Sequence, residues 1–485
     1  MRCEEITDLR SALAFLKTLE GQYHETDVEV SPEAALAGVY RYIGGGGTVM
    51  RPTKTGPAMV FNNIKGFPDS RVAIGIVGSR ERVGCLLGTP PDRLGFRMNE
   101  ALRHPIDPVP VESGPCQEVV HRATDPGFDI RTLLPAPTNT PDDAGPYITM
   151  GLVYAEDPEN GDQDVTIHRQ CLQSADEISM YFVPGRHIDH FRQKAEARGE
   201  ALPITVNIGL DPAVYLASCF EPPTTPLGFN ELRIAGGLRG RAVELCPAVS
   251  VSTKAIAHAE IVIEGELLPG KRVQEDQHTL TGHAMPEFPG YNGPANPAVP
   301  VFKVKAVTHR VRPIMQTTIG PSEEHVSLAG IPTEASIIQM VERAMPGRLQ
   351  NVYAHSCGGG KLTAVLQFKK LGPSDEGRQR QAALVAFAAF PELKNIILVD
   401  EDVDPFDSND VLWAMTTRMQ GDVDIVTIPG VRCHPLDPSQ RPDMSPSIIA
   451  EGISCKTLFD CTVPVAMRDH FRRAQFLEID PTPYL

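Results

Sequence analysis

Three observations predict an α/β protein with a mostly β centre. Helix and strand signals mix in the first hundred residues, β-branched runs dominate from about Tyr147 to Arg312, and strand, helix and strand follow one another after Pro332. A chain of 485 residues is too long for a single hydrophobic core, so several domains are expected.

In the opening part, residues 11–19 read as a helix stopped by Gly21, and residues 71–77 as a short buried strand. Proline-rich stretches at residues 104–110 and 134–146 suit linkers or surface loops, placing a first boundary near residue 115. In the centre, residues 203–210, 259–267 and 301–310 are strand-like, and Lys303 and Lys305 alternate with Val304 and Ala306 as a half-exposed strand requires. Several such strands predict a barrel or sandwich. After Pro332 the period becomes helical, with Ile337, Ile338, Val341 and Met345 on one face before Pro346 and Gly347. A second helix over residues 379–390 leads into a strand at 395–399 and an acidic loop at 400–404. A third helix, capped at Asp407 or Ser408, carries Val411, Leu412, Met415 and Met419. This succession predicts a parallel sheet.

Composition removes whole classes of function. Hydrophobic residues at 41% and charged residues at 22% describe a soluble globular chain. A net charge of -16 without a basic patch argues against nucleic acid as a partner. The longest apolar stretch, residues 382–390, is far short of the ~20 residues of a membrane span, and no basic-then-apolar leader opens the chain. The ten cysteines form no C-x-x-C pair, which excludes a zinc ribbon and fits reduced thiols in a cytoplasmic protein.

Two glycine clusters, residues 44–47 and 358–360 followed by Lys361, read as loops: a phosphate-binding P-loop would need Gly and Ser or Thr where His355 and Leu362 stand. The acidic run VDEDVD at 399–404 reads as a solvated loop. DVTIHR at 164–169 sets a carboxylate, an imidazole and a guanidinium at the end of a strand; His187 in PGRHI and Glu244 in GRAVEL are ordinary residues taken singly. Glu287 in TGHAMPEFPGY stands apart. A carboxylate among Met, Pro, Phe and Tyr is poorly solvated, which raises its pKa as a proton donor near neutral pH requires.

These segments, with RHI at 186–188, VEL at 243–245, KNIILVDEDVD at 394–404, DVLWAMTTRMQGD at 410–422 and LDPSQ at 436–440, resemble in content and order the UbiD family of prenylated-FMN-dependent decarboxylases, along essentially the whole chain. TGHAMPEFPGY, GISCKTLFDCTVP and DLRSALAFL are most similar to its 3,4-dihydroxybenzoate (protocatechuate) branch, whose near relatives include gallate decarboxylases.

The resemblance implies an N-terminal α/β domain (1–115), a central split β-barrel that binds the flavin (116–315), a C-terminal α/β domain (316–465) and a tail (466–485). It implies reversible loss of carbon dioxide from protocatechuate to give catechol, with a gallate or 4-hydroxybenzoate decarboxylase or a non-catalytic flavin-binding subunit as alternatives. The implied partners are a small aromatic acid, a flavin prenyltransferase that supplies the cofactor, and further copies of the chain in a dimer or hexamer. The cofactor, prenylated FMN, would lie against Ile167, His168, Arg169, Arg186, His187 and Ser218, the last also near a monovalent cation, K+. Mn2+ or Mg2+ would be held by Asp164, His187 and Glu244; the family commonly has asparagine at the first of these. Arg169 and Glu287 match two members of a catalytic Glu-Arg-Glu set whose first glutamate falls at Gly282, with Glu275 or Asp276 as possible replacements. His325, Lys361 and His434 are the candidates for meeting ring hydroxyls. A cofactor is needed because direct decarboxylation of a benzoate leaves an aryl anion that no side chain stabilises.

Overall fold

The computed structural model describes residues 2–48, 55–183, 185–450 and 452–484. The first helix, Leu9–Leu16, begins where the Asp8 carboxylate accepts the Ser11 N–H at 2.8 Å, two residues before the expected start. It buries Leu9, Leu13 and Leu16 beside a four-stranded sheet ordered Tyr23–Thr26, Ala58–Phe61, Arg71–Ile74 and Ile314–Thr317. The last of these pairs in parallel with Arg71–Ile74, so the boundary expected at 315 falls inside a strand that returns to the N-terminal layer. Leu9, Val60, Tyr154, Val262 and Leu328 share one core, and the boundary near 115 divides the sequence without dividing the packing.

The central layer is a nine-stranded sheet whose pairings are all antiparallel. Its longest pair, Ile261–Val273 and Val299–His309, changes register at Glu264/Gly265 and again at Leu267/Arg272. Such bulges bend and twist a sheet. Gly265 is needed at the first, since a Cβ there would stand 2.1 Å from the Lys303 carbonyl oxygen. The curved, open sheet is the split β-barrel of the expected fold class. Helix His187–Ala197 crosses it and buries Ile188 and Phe191.

The C-terminal sheet runs Leu349–Ala354, Thr363–Phe368, Asn395–Val399, Ile453–Cys461, Ile425–Arg432. Its three inner strands are parallel, as expected, while both edge strands are antiparallel. The helix expected only after Pro332 instead runs through it, Glu323–Ala344, capped by Ser322. Proline removes one backbone donor and costs about 3 kcal/mol in a helix interior. Here the helix is buried on nearly every side, and the Thr333 and Ser336 hydroxyls donate to the Ala329 and Pro332 carbonyls at 2.8 and 3.1 Å. Helix Ser408–Arg418 is capped by Asp407 as expected, but Leu412 is 56% exposed: Val411, Ala414 and Arg418 form its inner face. The acidic loop stays at the surface, with Arg418 paired to Asp402 at 2.6 Å.

One buried carboxylate joins the first two layers. Glu260 is 0% exposed and accepts from Arg10 Nε and Nη2 (2.7 and 2.9 Å), from Arg310 (3.4 Å) and from the Ile314 N–H (3.1 Å). Glu260→Ala would leave two guanidinium groups without this acceptor, and is expected to cost about 3–5 kcal/mol. The check is a lower urea midpoint at unchanged m; an unshifted midpoint refutes the assignment.

Candidate active site

Between the central and C-terminal layers lies a cavity lined by Ile167, His168, Arg169, Arg186, His187, Ser218 and Glu287 from the first and by His325, Lys361 and His434 from the second. Strand Gln163–Ile167 carries Asp164 into the interior and ends at His168 and Arg169. His187 opens the helix that follows, and its Nδ1 lies 2.7 Å from Asp164 Oδ2. Glu231, buried at the start of helix Leu232–Arg239, completes the group: one ligand atom from each residue lies within 4.8 Å of the others.

Two carboxylates in so little water are an unstable pair. Burial, and then the charge of Asp164, push the Glu231 carboxyl well above its ordinary range, and its Oε2 has no hydrogen-bond partner. Two oxygen donors and an imidazole around an unmet buried carboxylate fit a divalent cation of the Mn2+ or Mg2+ type. Glu244 is elsewhere. Its side chain is 45% exposed, it contacts His258 at 2.9 Å, and it borders a separate cleft with Arg239 and Arg241. The sequence offers the dipeptide Glu-Leu at both 231 and 244, and nothing local separates them; only the fold brings Glu231 to Asp164.

At the other end of DVTIHR, Arg169 bridges two carboxylates. Its Nε and Nη2 donate to Glu275 at 2.9 and 2.8 Å, its Nη1 donates to Glu287 at 2.7 Å, and the guanidinium lies 4.2 Å over the Tyr181 ring. Although burial opposes its charge, Glu275 and Glu287 hold the Arg169 pKa above its ordinary value. Of the two candidate replacements for residue 282, Glu275 is the one that reaches Arg169. Gly282 itself sits in a turn with φ +76°, and Asp276 accepts from the Gly282 N–H at 2.8 Å, shaping the loop rather than reaching Arg169.

The two carboxylates differ in environment. Glu275 accepts four donors, two from Arg169, one from the Tyr147 hydroxyl (2.9 Å) and one from the Asn296 N–H (3.0 Å). Glu287 accepts one from Arg169, and burial raises its pKa despite that neighbour. Glu287 is therefore the carboxyl group that holds a proton more readily than an exposed glutamate. Its turn requires glycine at 293, where a Cβ would come 2.8 Å from Glu287 Cγ.

The facing wall is built by three loops and helix ends. His325, in the first turn of Glu323–Ala344, stacks on Phe288 at 5.2 Å, and His434 meets the same ring edge-on at 4.7 Å. Burial lowers the pKa values of His325 and His434 to about 3 and about 4, so both rings are neutral near pH 7. His434 Nδ1 accepts the Leu436 N–H at 3.0 Å, leaving the proton on Nε2. His325 turns one ring N–H to the Gly359 carbonyl, while its Nδ1 has no partner. The glycine cluster at 358–360 is a loop, as expected, with φ +63° and +77° at Gly359 and Gly360, and the turn delivers Lys361 to the cavity. Lys361 Nζ donates to Glu221 at 2.7 Å and Glu392 at 3.0 Å. His168, buried against Phe182 at 4.5 Å, has its pKa lowered to about 3 by burial and is neutral. Ser218 Oγ donates to the Tyr215 carbonyl at 2.8 Å.

A guanidinium clamped by two carboxylates thus shares one cavity with a group that could hold a metal ion, and the whole chain matches a family of decarboxylases. Models of the N-terminal, Rift-related and C-terminal domains of 3-octaprenyl-4-hydroxybenzoate carboxy-lyase match residues 16–102, 108–323 and 326–461. The chain belongs to the UbiD family of carboxy-lyases. It is 56% identical over 480 residues, 98% of either chain, to a gallate decarboxylase of Lactiplantibacillus plantarum. It resembles the apo crystal structure of Klebsiella pneumoniae 3,4-dihydroxybenzoic acid decarboxylase (AroY), with TM-score 0.95, 63% identity and 99% of both chains covered. An evolved dimeric form of the UbiD-class enzyme HmfF from Pelotomaculum thermopropionicum, in complex with prFMN, matches with TM-score 0.84 and 32% identity over 99% of this chain and 100% of that one.

Glu231→Gln is expected to weaken Mn2+ binding about tenfold or more, and Glu244→Gln to leave it unchanged. Electron paramagnetic resonance titration of free Mn2+ distinguishes them; the reverse order would return the ligand role to Glu244.

Proposed function

We propose that this decarboxylase acts on a hydroxylated benzoic acid, with 3,4-dihydroxybenzoate as substrate and catechol as product, and that it does so with prFMN. The observation that carries the reading is Arg169 held between Glu275 and Glu287 on the cavity wall. When bound, the flavin-derived cofactor supplies an electrophilic centre that accepts the electron pair otherwise stranded on the ring. Asp164, His187 and Glu231 would hold Mn2+ or Mg2+ as the anchor for its phosphate, with Ser218 the candidate neighbour of K+.

Arg169, whose Nε and Nη2 edge is taken by Glu275, orients the substrate carboxylate through the second N–H of Nη1, beside the one given to Glu287. Glu275, already saturated with donors, keeps the guanidinium in place. Glu287 returns a proton to the carbon that loses carbon dioxide, and its raised pKa suits it to that task. Met285 and Phe288 leave an apolar wall past which a neutral gas departs. Lys361 has a third N–H beyond the two given to carboxylates, and the His325 ring stacked on Phe288 has an unmet acceptor at Nδ1. A donor and an acceptor side by side complement adjacent ring hydroxyls, and a site built for hydroxyls rejects analogues without them. Supply by a flavin prenyltransferase and assembly as a homo-oligomer belong to the same reading. Among the described residues no helix is long and apolar enough to cross a membrane.

Gallate is the second substrate to weigh, on the strength of the 56% identity to the Lactiplantibacillus plantarum gallate decarboxylase. Holoenzyme turned over with 3,4-dihydroxybenzoate, gallate and 4-hydroxybenzoate separates the three, with the highest kcat/KM expected for the first; a preference for gallate would replace it. Glu287→Gln is expected to lower kcat by 10²-fold or more, roughly the contribution of a general acid. The sign of the pH dependence follows from the raised pKa: the donor is the protonated carboxyl, so kcat falls as pH rises through that value. An intact basic limb in Glu287→Gln would assign it to another group. Lys361→Ala and His325→Ala with parental turnover would remove both from the substrate site.

A further inference from the structure

Lys361 and Arg186 enter the cavity wall as members of a closed ring of alternating charge. Arg186 Nη2 contacts Glu221 Oε1 at 2.9 Å and Glu392 Oε1 at 3.4 Å. Lys361 Nζ contacts Glu221 Oε1 at 2.7 Å and Glu392 Oε2 at 3.0 Å. His434 Nε2, which carries the ring proton, lies 3.3 Å from Glu392 Oε2. Arg186 and Glu221 come from the central layer; Lys361, Glu392 and His434 come from the C-terminal one.

Glu392 thus touches three groups that line the cavity, although neither the motif at 394–404 nor the cavity lining includes it. Its own backbone is pinned. The buried Lys456 ammonium donates to the Pro391 carbonyl at 2.7 Å and also to the Leu393 carbonyl, one residue on either side. A buried ion ring is a poor device for stability, since apolar side chains of like volume do as well. It is a good device for holding a desolvated ammonium in one place with one of its three donors still free.

We propose that Glu392 is a positioning residue of the decarboxylase, fixing Lys361 for contact with the ring hydroxyls, with Glu221 as its counterpart across the layer boundary. The proposal deepens the reading that Lys361 meets the hydroxyls, and rests on it. The near-isosteric Glu392→Gln keeps the volume and removes the charge. The direct readout is calorimetric binding to the holoenzyme of catechol, which has the hydroxyls alone, and of benzoate, which has the carboxylate alone.

In Glu392→Gln the Kd for catechol is expected to rise about tenfold, with benzoate affinity unchanged and a lowered melting temperature but an intact fold, since one charge of a buried ring is neutralised. In a Lys361→Met background the same substitution should add little, because its effect passes through Lys361. Equal weakening of both ligands, additivity with Lys361→Met, unchanged catechol binding, or a collapsed melting temperature would each overturn the positioning role. Failure of the underlying reading looks different: Lys361→Met alone would then leave catechol binding at the parental value.

Discussion

Arg169 is the constraint around which the rest of the cavity is arranged. A guanidinium only 10% exposed needs counter-charge, and two carboxylates provide it from separate segments of the central layer, Glu275 from the loop after strand Ile261–Val273 and Glu287 from the hairpin that follows, before strand Val299–His309. The unequal sharing matters more than the pairing. Four donors saturate Glu275, while Glu287 has one and is poorly solvated, so one carboxylate serves as a fixed counter-ion and the other can carry a proton. One Arg therefore sets two chemically different glutamates.

The same principle operates twice more around the cavity. At the cation site two carboxylates face each other with an imidazole, and the excess negative charge is what a divalent ion relieves. Across the boundary between the two layers two cations and two anions close a ring, and despite the contrary pull of burial Arg186 and Lys361 hold the Glu221 carboxyl well below its usual range. One cation between two carboxylates, two carboxylates with an imidazole, and a balanced ring of two cations and two anions thus line one cavity. His168, His325 and His434, their pKa values lowered by burial, line the same cavity without adding charge.

The architecture explains how distant segments meet. The return of Ile314–Thr317 to the N-terminal sheet fixes where helix Glu323–Ala344 begins, and hence where His325 enters the cavity. Parallel strands at the centre of the C-terminal sheet place the Gly358–360 turn and the Glu392 turn at the same end, because both precede strands that run side by side from Thr363 and Asn395. Lys361 and Glu392 are neighbours for that reason.

Much was legible from the residues alone. Alternation of Lys303 and Lys305 with apolar neighbours located a central strand, Asp407 located a helix start, and the composition of TGHAMPEFPGY located a desolvated carboxylate. Each of these is a local property, written within a few residues by side-chain period, capping chemistry or neighbouring polarity. What was missed or left open has the opposite character. Pro332 breaks an isolated helix but not one buried on nearly every side; Glu244 and Glu231 sit in the same dipeptide; and Glu275 and Asp276, adjacent in sequence, are told apart only by which of them reaches Arg169. The sequence by itself determined which chemical groups are available and which segments are strands or helices. Only the tertiary structure decided which carboxylate meets which cation, because that depends on distances between segments hundreds of residues apart, and on the loss of water between them.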